Sequence, residues 1–313
     1  MKKLFILSRA ALMAVSVSCN KDKLVTVTTG ELTWLGASSA DLNGSFSTGK
    51  KISVSEYGFF VTGDFGIGEE KMKFPAEGGK FLVELSSLLS GEKYSYTAYA
   101  IADDELFFGQ TKHFRTYSEE GYNKSAVDFG TGVVWARTNV GASSPTDYGD
   151  YFAWGETEPK TEYSEENYEH PGVKMLSGDN DPCTVNLGGF WRTPTYEEYQ
   201  ALREATSYHW TVVSSVNGLK LSGKGDYSDA SIFLPAAGMY YPQPNGLMGV
   251  GNECDYASAS ITEDPKFTNP VWELSYNSGS GAYNIMLAKF FWGLPYRAVM
   301  DADKYEMLTN GWL

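Results

Sequence analysis

The chain has 313 residues, which is enough for two domains of ordinary size, and its 42% hydrophobic and 15% aromatic residues suffice for their cores. Its 39 acidic and 25 basic residues give a formal net charge of −14. A surface this acidic repels phosphate groups, so the composition argues against nucleic acid as a partner and against direct binding to an anionic membrane.

The first residues have the pattern of a secretory signal. Residues 1–18 combine a basic start, an apolar stretch and small residues before Cys19. Residues 16–19 form an imperfect lipobox, because Ser16 stands where leucine is usual. We expect Cys19 to be the lipidated first residue of the mature protein; the alternative is an ordinary secretion signal cleaved nearby. No later stretch reaches the ~20 apolar residues of a membrane span, so we expect attachment to the outer membrane, on the cell surface, only through this lipid.

A first domain is expected over residues 24–116, after a short tether at residues 19–23. About seven short extended runs with Gly, Asp and Ser turns between them predict an all-β sandwich. Residues 88–94 (LLSGEKY) resemble the corner of fibronectin type III domains, in which a leucine precedes a turn and a tyrosine six residues later caps it. The resemblance implies an immunoglobulin/fibronectin III-like module that spaces or docks the next domain. Residues 117–122 are a polar linker.

The second domain, residues 123–313, is organised around residues 186–206 (NLGGFWRTPTYEEYQALREAT). Two glycines allow a sharp turn before Trp191, and Thr195 with Glu198 three residues later predicts a capping box at a helix start. One face of this short helix carries three residues at helical spacing: Tyr199, Leu202 and Thr206.

Several strands are predicted around that helix. Residues 127–130 and 133–136 read as a hairpin with a glycine turn, and residues 231–235 read as a buried strand. Asn217-Gly218 predicts a second hairpin turn. Residues 271–276 and 285–287 are expected to be closing strands.

The segment GGFWRTPTYEEYQAL closely resembles the signature of the Fibrobacter succinogenes major paralogous domain, which occurs in surface proteins of gut and rumen bacteria. Residues 127–141, 147–159 and 232–238 match the same pattern in the same order. The family is related to the formylglycine-generating-enzyme and C-type-lectin-like folds, so the resemblance implies a compact α+β domain. It supplies no known reaction. The chain departs from the family pattern at residues 256–260 and 296–299.

A loop rich in Gly and Pro, residues 238–251, carries the candidate ligand-binding residues Tyr240, Tyr241 and Asn245. Exposed aromatic side chains on such a loop suit a recognition surface. The alternative, that both tyrosines pack back on the preceding strand, stays open.

A second candidate group combines carboxylates with the aromatic Trp154. Asp147, Asp150 and Glu156 could supply some of the six to eight oxygens that calcium takes. The favoured alternative is a core tryptophan, a turn glycine and a Glu156 carboxylate that accepts loop N–H bonds. No other cofactor is indicated.

The remaining cysteines, Cys183 and Cys254, either form a disulfide or stay as two buried thiols, which is the favoured alternative. Formylglycine-generating enzymes use a close cysteine pair late in the chain, and no cysteine follows Cys254.

The sequence carries no nucleophile elbow, P-loop or dinucleotide fingerprint, and its three histidines have no partner at metal spacing. We therefore expect no enzyme, but a surface lipoprotein that presents a lectin-like domain for adhesion or glycan binding. The first alternative is a structural part of a surface assembly, such as a pilus tip or transport complex, that binds protein. The second is a hydrolase or oxidase on the formylglycine-type scaffold.

Overall fold

A computed structural model describes residues 25–49, 52–63, 70–76, 79–169, 172–262, 264, 266 and 270–310. The expected signal, Cys19 and His170 lie outside these ranges. The chain divides into two compact units, Met1–Tyr122 and Asn123–Leu313. Both are built mainly from antiparallel sheets. Within the described ranges, no helix is both long and apolar enough to cross a bilayer.

The described part of the first unit contains two antiparallel sheets. One has the order β1-β2-β5-β4, and the other has β3-β6-β7 with β8 also paired to β6. Phe81 of the first sheet packs on Phe59 of the second, with ring centroids 5.1 Å apart, so the sheets face each other as the sequence predicts for a sandwich. The strands are β1 (Val25–Leu35), β2 (Ala40–Thr48), β3 (Val54–Gly63), β4 (Glu70–Ala76), β5 (Lys80–Leu85), β6 (Lys93–Ala102), β7 (Glu105–Phe108) and β8 (Lys112–Arg115).

The corner at residues 88–94 has the geometry that its sequence implies. The Tyr94 hydroxyl accepts a hydrogen bond from the Leu89 N–H at 2.9 Å, and Leu88 is buried. The tyrosine therefore anchors the turn to the strand that follows it.

The second unit contains five small antiparallel sheets among its described residues: β21-β10-β9, β11-β20, β12-β13-β14, β15-β16 and β17-β18-β19. Its elements, with a short helix at the unit boundary, are α1 (Glu119–Asn123), β9 (Ala126–Asp128), β10 (Val133–Ala136), β11 (Tyr151–Phe152), α2 (Pro182–Leu187), α3 (Tyr196–Ala205), β12 (Thr206–Val213), β13 (Val216–Gly223), β14 (Ser231–Pro235), β15 (Met239–Tyr241), β16 (Gly246–Met248), β17 (Glu253–Ile261), β18 (Pro270–Asn277), β19 (Ala282–Lys289), β20 (Leu294–Pro295), β21 (Val299–Asp301) and α4 (Ala302–Asn310).

The start of α3 confirms the predicted capping box. The Thr195 hydroxyl accepts from the Glu198 N–H, and the Glu198 carboxylate accepts from the Thr195 N–H at 2.8 Å. The same carboxylate pairs with both terminal nitrogens of Arg192, at 2.8 and 2.7 Å. Tyr199 and Leu202 are buried as predicted, and the Tyr199 ring packs on Trp135 at 5.4 Å. This cluster places α3 on the core.

The hairpin turn predicted at Asn217-Gly218 is wrong. Ser214 and Ser215 make the turn with φ of 46° and 68°, and Asn217-Gly218 lies inside β13. A Cβ at Gly218 would lie 2.4 Å from the Leu234 carbonyl oxygen, so close packing against β14 requires glycine there. The glycine serves packing rather than the turn.

A buried arginine ties the sheets together. Arg297 donates to the Asn139 side-chain oxygen at 2.9 Å, to the Ala136 carbonyl at 2.9 Å and to the Phe233 carbonyl at 3.1 Å. It thereby joins β10 to β14 through segments far apart in the chain. Burial lowers the pKa of its guanidinium.

Candidate functional site

The tyrosines of the glycine- and proline-rich loop lie in the β15-β16 hairpin and are only partly exposed. The Tyr240 ring contacts Tyr151 and Tyr163, with centroids 5.0 and 5.2 Å away. The Tyr241 ring packs on Trp292 at 4.7 Å. Asn245 is exposed at the hairpin turn. Of the two alternatives that the sequence left open, the structure therefore has the tyrosines packed against their surroundings.

Trp154 is not available to a ligand in this structure. Its side chain is buried, its indole N–H donates to the Ser258 carbonyl at 3.0 Å, and its ring stacks on Phe290 at 5.0 Å. The following Gly155 has a φ of 81°, as a turn requires. Trp154 therefore has a structural role, and the interpretation of its side chain as a ligand contact is wrong.

The carboxylates proposed for calcium do not converge. Asp147 accepts from the Ser143 hydroxyl at 2.6 Å and the Ser144 N–H at 2.9 Å, and these bonds lower its pKa. Glu156 accepts from the Lys160 ammonium at 2.9 Å and the Glu169 N–H at 3.0 Å. No group of three or more acidic, histidine or cysteine residues in the described ranges could hold a metal, so the calcium site at Asp147, Asp150 and Glu156 is not supported.

Cys183 and Cys254 are buried thiols that are not joined in a disulfide. Cys183 lies in the first turn of α2, where its N–H bonds the Asp181 carboxylate. Cys254 lies on β17, and its thiol donates to the Leu234 carbonyl at 3.3 Å. The two sulfurs therefore lie on different elements, α2 and β17. Burial raises the pKa of the Cys254 thiol well above its usual range.

A cleft of about 370 Å³ lies where α3 passes into β12. We call it the Arg203 cleft; its lining residues are Arg203, Thr206, Ser207, Tyr208, Lys224 and Tyr283. The two charged residues among them are both cations, although the chain as a whole carries a formal charge of −14. The cleft is therefore a cationic spot on an acidic protein.

Arg203 is held in place by Tyr283. One terminal nitrogen donates to the Tyr283 carbonyl at 2.8 Å, and the guanidinium carbon lies 5.2 Å from the centre of the Tyr283 ring. The Nε atom of Arg203 is buried and has no hydrogen-bond partner within the described part of the chain. The guanidinium is thus ordered but keeps an unused donor.

Lys224 and Tyr208 complete the cleft. The Lys224 ammonium donates to the Glu204 carbonyl at 2.8 Å, which uses one of its three donors. The Tyr208 side chain is 49% exposed, and its ring lies 4.8 Å from that of Tyr283 and 6.0 Å from that of Tyr276. Trp210 stacks on Tyr276 at 5.1 Å, so the exposed ring ends a row of packed aromatics.

Sequence reasoning did not find this cleft. The pattern at residues 208–210 indicates only an extended return strand, and Arg203 and Lys224 lie on different elements. The sequence itself offers only a local signal, the aromatic-rich stretch at residues 208–210 a few residues after Arg203. An aromatic stretch directly after a helix with arginine in its last turn is the pattern that could have indicated it.

A second feature missed from the sequence is a pair of buried acids. Asp255 on β17 is opposite Ser275, and Glu273 on β18 is opposite Ala257, so the two carboxyls are diagonal neighbours on one face. Ser275 donates to Asp255 at 2.7 Å. One oxygen of each carboxyl is buried and has no hydrogen-bond partner among the described residues.

The surroundings of both carboxyls favour their protonated forms. Burial, with a smaller contribution from the charge of Glu253, raises the pKa of Asp255 to about 7. Burial and the charges of Asp255 and Glu253 raise the pKa of Glu273 well above its usual range. Because two like charges cannot both ionise without a large cost when they are buried side by side, we expect a shared proton at neutral pH.

No family model and no curated protein match the sequence. Among solved structures, the chain is similar to the GAE domain of GGA2p from Saccharomyces cerevisiae, with 10% identity and a TM-score of 0.19. The match covers 29% of this chain and 86% of the other. At this TM-score the likeness carries no argument. The family resemblance therefore enters the proposed function on its sequence motifs alone.

Proposed function

We propose that the chain is a cell-surface lipoprotein, anchored in the outer membrane through Cys19, whose second unit binds glycans for adhesion or capture. In this proposal the second unit is a lectin-like domain of the Fibrobacter succinogenes major paralogous type, with the C-type-lectin-like fold of that group. The fibronectin III-like first unit is its spacer. No catalysis is assigned.

The observation that carries the proposal is the exposed Tyr208 ring at the mouth of the Arg203 cleft. The C–H groups of a sugar ring carry partial positive charge and pack against the negative face of an aromatic ring. Tyr283 and Tyr276 hold the Tyr208 ring by edge and tilted contacts, which limits the entropy that binding costs. The cleft volume of about 370 Å³ is in the range of small-ligand sites.

A glycan array with the purified full-length chain tests this proposal. We expect binding in calcium and in chelator alike, because no carboxylate group that could hold a metal is assembled in the described ranges. Tyr208→Ala should lower binding about tenfold, since the lost burial and ring contact of one aromatic side chain are worth on the order of 1.5 kcal/mol. Tyr208→Phe, which keeps the ring, should retain most of it.

The control is Tyr122→Ala, which removes a 40% exposed tyrosine from the first unit and should leave binding unchanged. Loss of binding in chelator would argue for a metal-dependent site instead. If the wild type binds no glycan on the array, either with calcium or with chelator, the glycan proposal is overturned.

A second candidate, a structural part of a surface assembly that binds protein, has one observation in its favour. The β15-β16 hairpin and the residues after it expose Leu247, Met248 and Val250 at 38%, 48% and 38%. Apolar side chains grouped in this way suit a protein contact. This candidate would be supported if the protein binds no glycan on the array and cells carrying Met248→Asp fail to form the surface assembly.

A further inference from the structure

We propose that the Arg203 cleft selects sugars that carry a carboxylate, with Arg203 and Lys224 gripping the acid group while Tyr208 stacks on the ring. This inference rests on the proposed glycan-binding function and names the class of glycan. Its residues come from α3, from the segment after β13 and from the start of β12, which meet only in the folded chain.

The guanidinium of Arg203 is held in one orientation. Arg203 is anchored through Nη2, so its plane is already oriented, and its buried Nε lacks a partner in the described part of the structure. The buried Nε is closed to a ligand, but the guanidinium has five N–H donors and a permanent positive charge. A planar carboxylate presents two acceptors that suit the guanidinium fork, so the remaining donors of the oriented group can bind an acid.

The charges next to Arg203 in the cleft favour an anionic ligand. Lys224 is exposed and adds an ammonium to the cleft, whereas none of the lining residues is acidic. An anion in the cleft therefore meets two cations at close range and no carboxylate among the lining side chains. The hydroxyls of Thr206 and Ser207 donate to backbone carbonyls at 2.7 and 3.4 Å, so they contribute little to ligand binding.

The distribution of charge favours a carboxylated glycan over a densely sulfated one. The cleft supplies two positive charges, but the chain around it has a net charge of −14. Additional anionic groups on a ligand are repelled by this net negative charge. A short glycan with one to three carboxylates carries fewer such groups than a polysulfated chain, so it is repelled less.

Competition titrations on the full-length chain test the inference with matched probes. Trigalacturonic acid is compared with its methyl ester, and sialyllactose with lactose, so that each pair differs chiefly in the acid group. We expect at least one acid to bind about tenfold or more tightly than its neutral counterpart, since a charge-assisted hydrogen bond contributes about 1.5–3 kcal/mol. The difference should shrink as salt is raised.

Variants assign the effect to the cleft. Lys224→Gln and Arg203→Gln should each reduce the preference for the acid about three- to tenfold or more, with little effect on the neutral probe. Tyr208→Ala should weaken both probes of a pair. Lys80→Gln, which removes an exposed lysine from the first unit, is the matched control and should change nothing. Lys224 is exposed, so its variant tests the inference even if Arg203→Gln disturbs the fold.

The outcomes separate this inference from the proposed function. Equal affinity for acid and neutral probes, or tighter binding of a sulfated trisaccharide, overturns the carboxylate preference and leaves glycan binding in place. A preference for the acid that survives in both charge variants also overturns it, because the selecting groups then lie elsewhere. A chain that binds neither these probes nor any glycan on the array overturns both.

Discussion

Replacing Arg297 with methionine is expected to lower the free energy of unfolding of the second unit by about 3–5 kcal/mol. The guanidinium donates to Asn139, Ala136 and Phe233 at 2.9, 2.9 and 3.1 Å, and it is buried. Methionine has similar reach but no donor, so three buried acceptors would lose a partner at about 1–3 kcal/mol for each one left unsatisfied.

Urea unfolding followed by tryptophan fluorescence measures this effect, because only Trp34 of the eight tryptophans precedes residue 123. Arg137→Met is the control. Arg137 is exposed and makes a single 3.3 Å bond to Ser231, so we expect a change within about 0.5 kcal/mol. Equal unfolding midpoints for the two variants would contradict the view that Arg297 holds the sheets together.

The second large effect is a pH dependence that comes from the buried acids. Burial raises the pKa of Asp255 from 3.8 to about 7, so the folded chain holds this proton more tightly than the unfolded chain. The resulting stabilisation is fully present below pH 3.8 and is lost as the pH rises through about 7. Glu273, whose pKa is raised well above its usual range, acts in the same direction.

Asp255→Asn should therefore raise stability above pH 7 by about 2–4 kcal/mol, since each tenfold difference in proton affinity between the folded and unfolded chain corresponds to about 1.4 kcal/mol. The asparagine oxygen can still accept from Ser275. Thermal unfolding between pH 4 and 9 measures the effect, and the variant should flatten the decline of the melting temperature. Asp226→Asn removes an exposed carboxylate and should keep the wild-type profile. A wild-type melting temperature that does not fall in this range would contradict the raised pKa.

The sequence predicted those elements whose signal is local. The capping box at Thr195 and Glu198, the hairpin of β9 and β10 and the strand β14 depend on neighbouring residues, and all three are present. Strand β2 has a weaker local signal, because its central Gly44 is of a type depleted in strands. A Cβ there would lie 2.4 Å from the Phe81 ring, so packing between strands explains the glycine.

The candidate site depended on contacts that the sequence does not show. Whether Tyr240 and Tyr241 are free is decided by Tyr151, Tyr163 and Trp292, which come from distant segments. The buried acids look like outward-facing residues on alternating strands. They are buried because both faces of β17 are covered. The Gly238 N–H donates to the Glu253 carbonyl at 3.0 Å, which brings the start of the β15-β16 hairpin beside β17.

Hydrogen exchange of the full-length chain, with and without trigalacturonic acid, tests most directly whether recognition takes place at the Arg203 cleft. The account predicts added protection of backbone amides at residues 203–208 and around residue 224, with none at residues 238–251. The first two segments line the cleft, and Tyr208 stands at its mouth. Protection confined to residues 238–251, or exchange that is unchanged at saturating trigalacturonic acid, would contradict it.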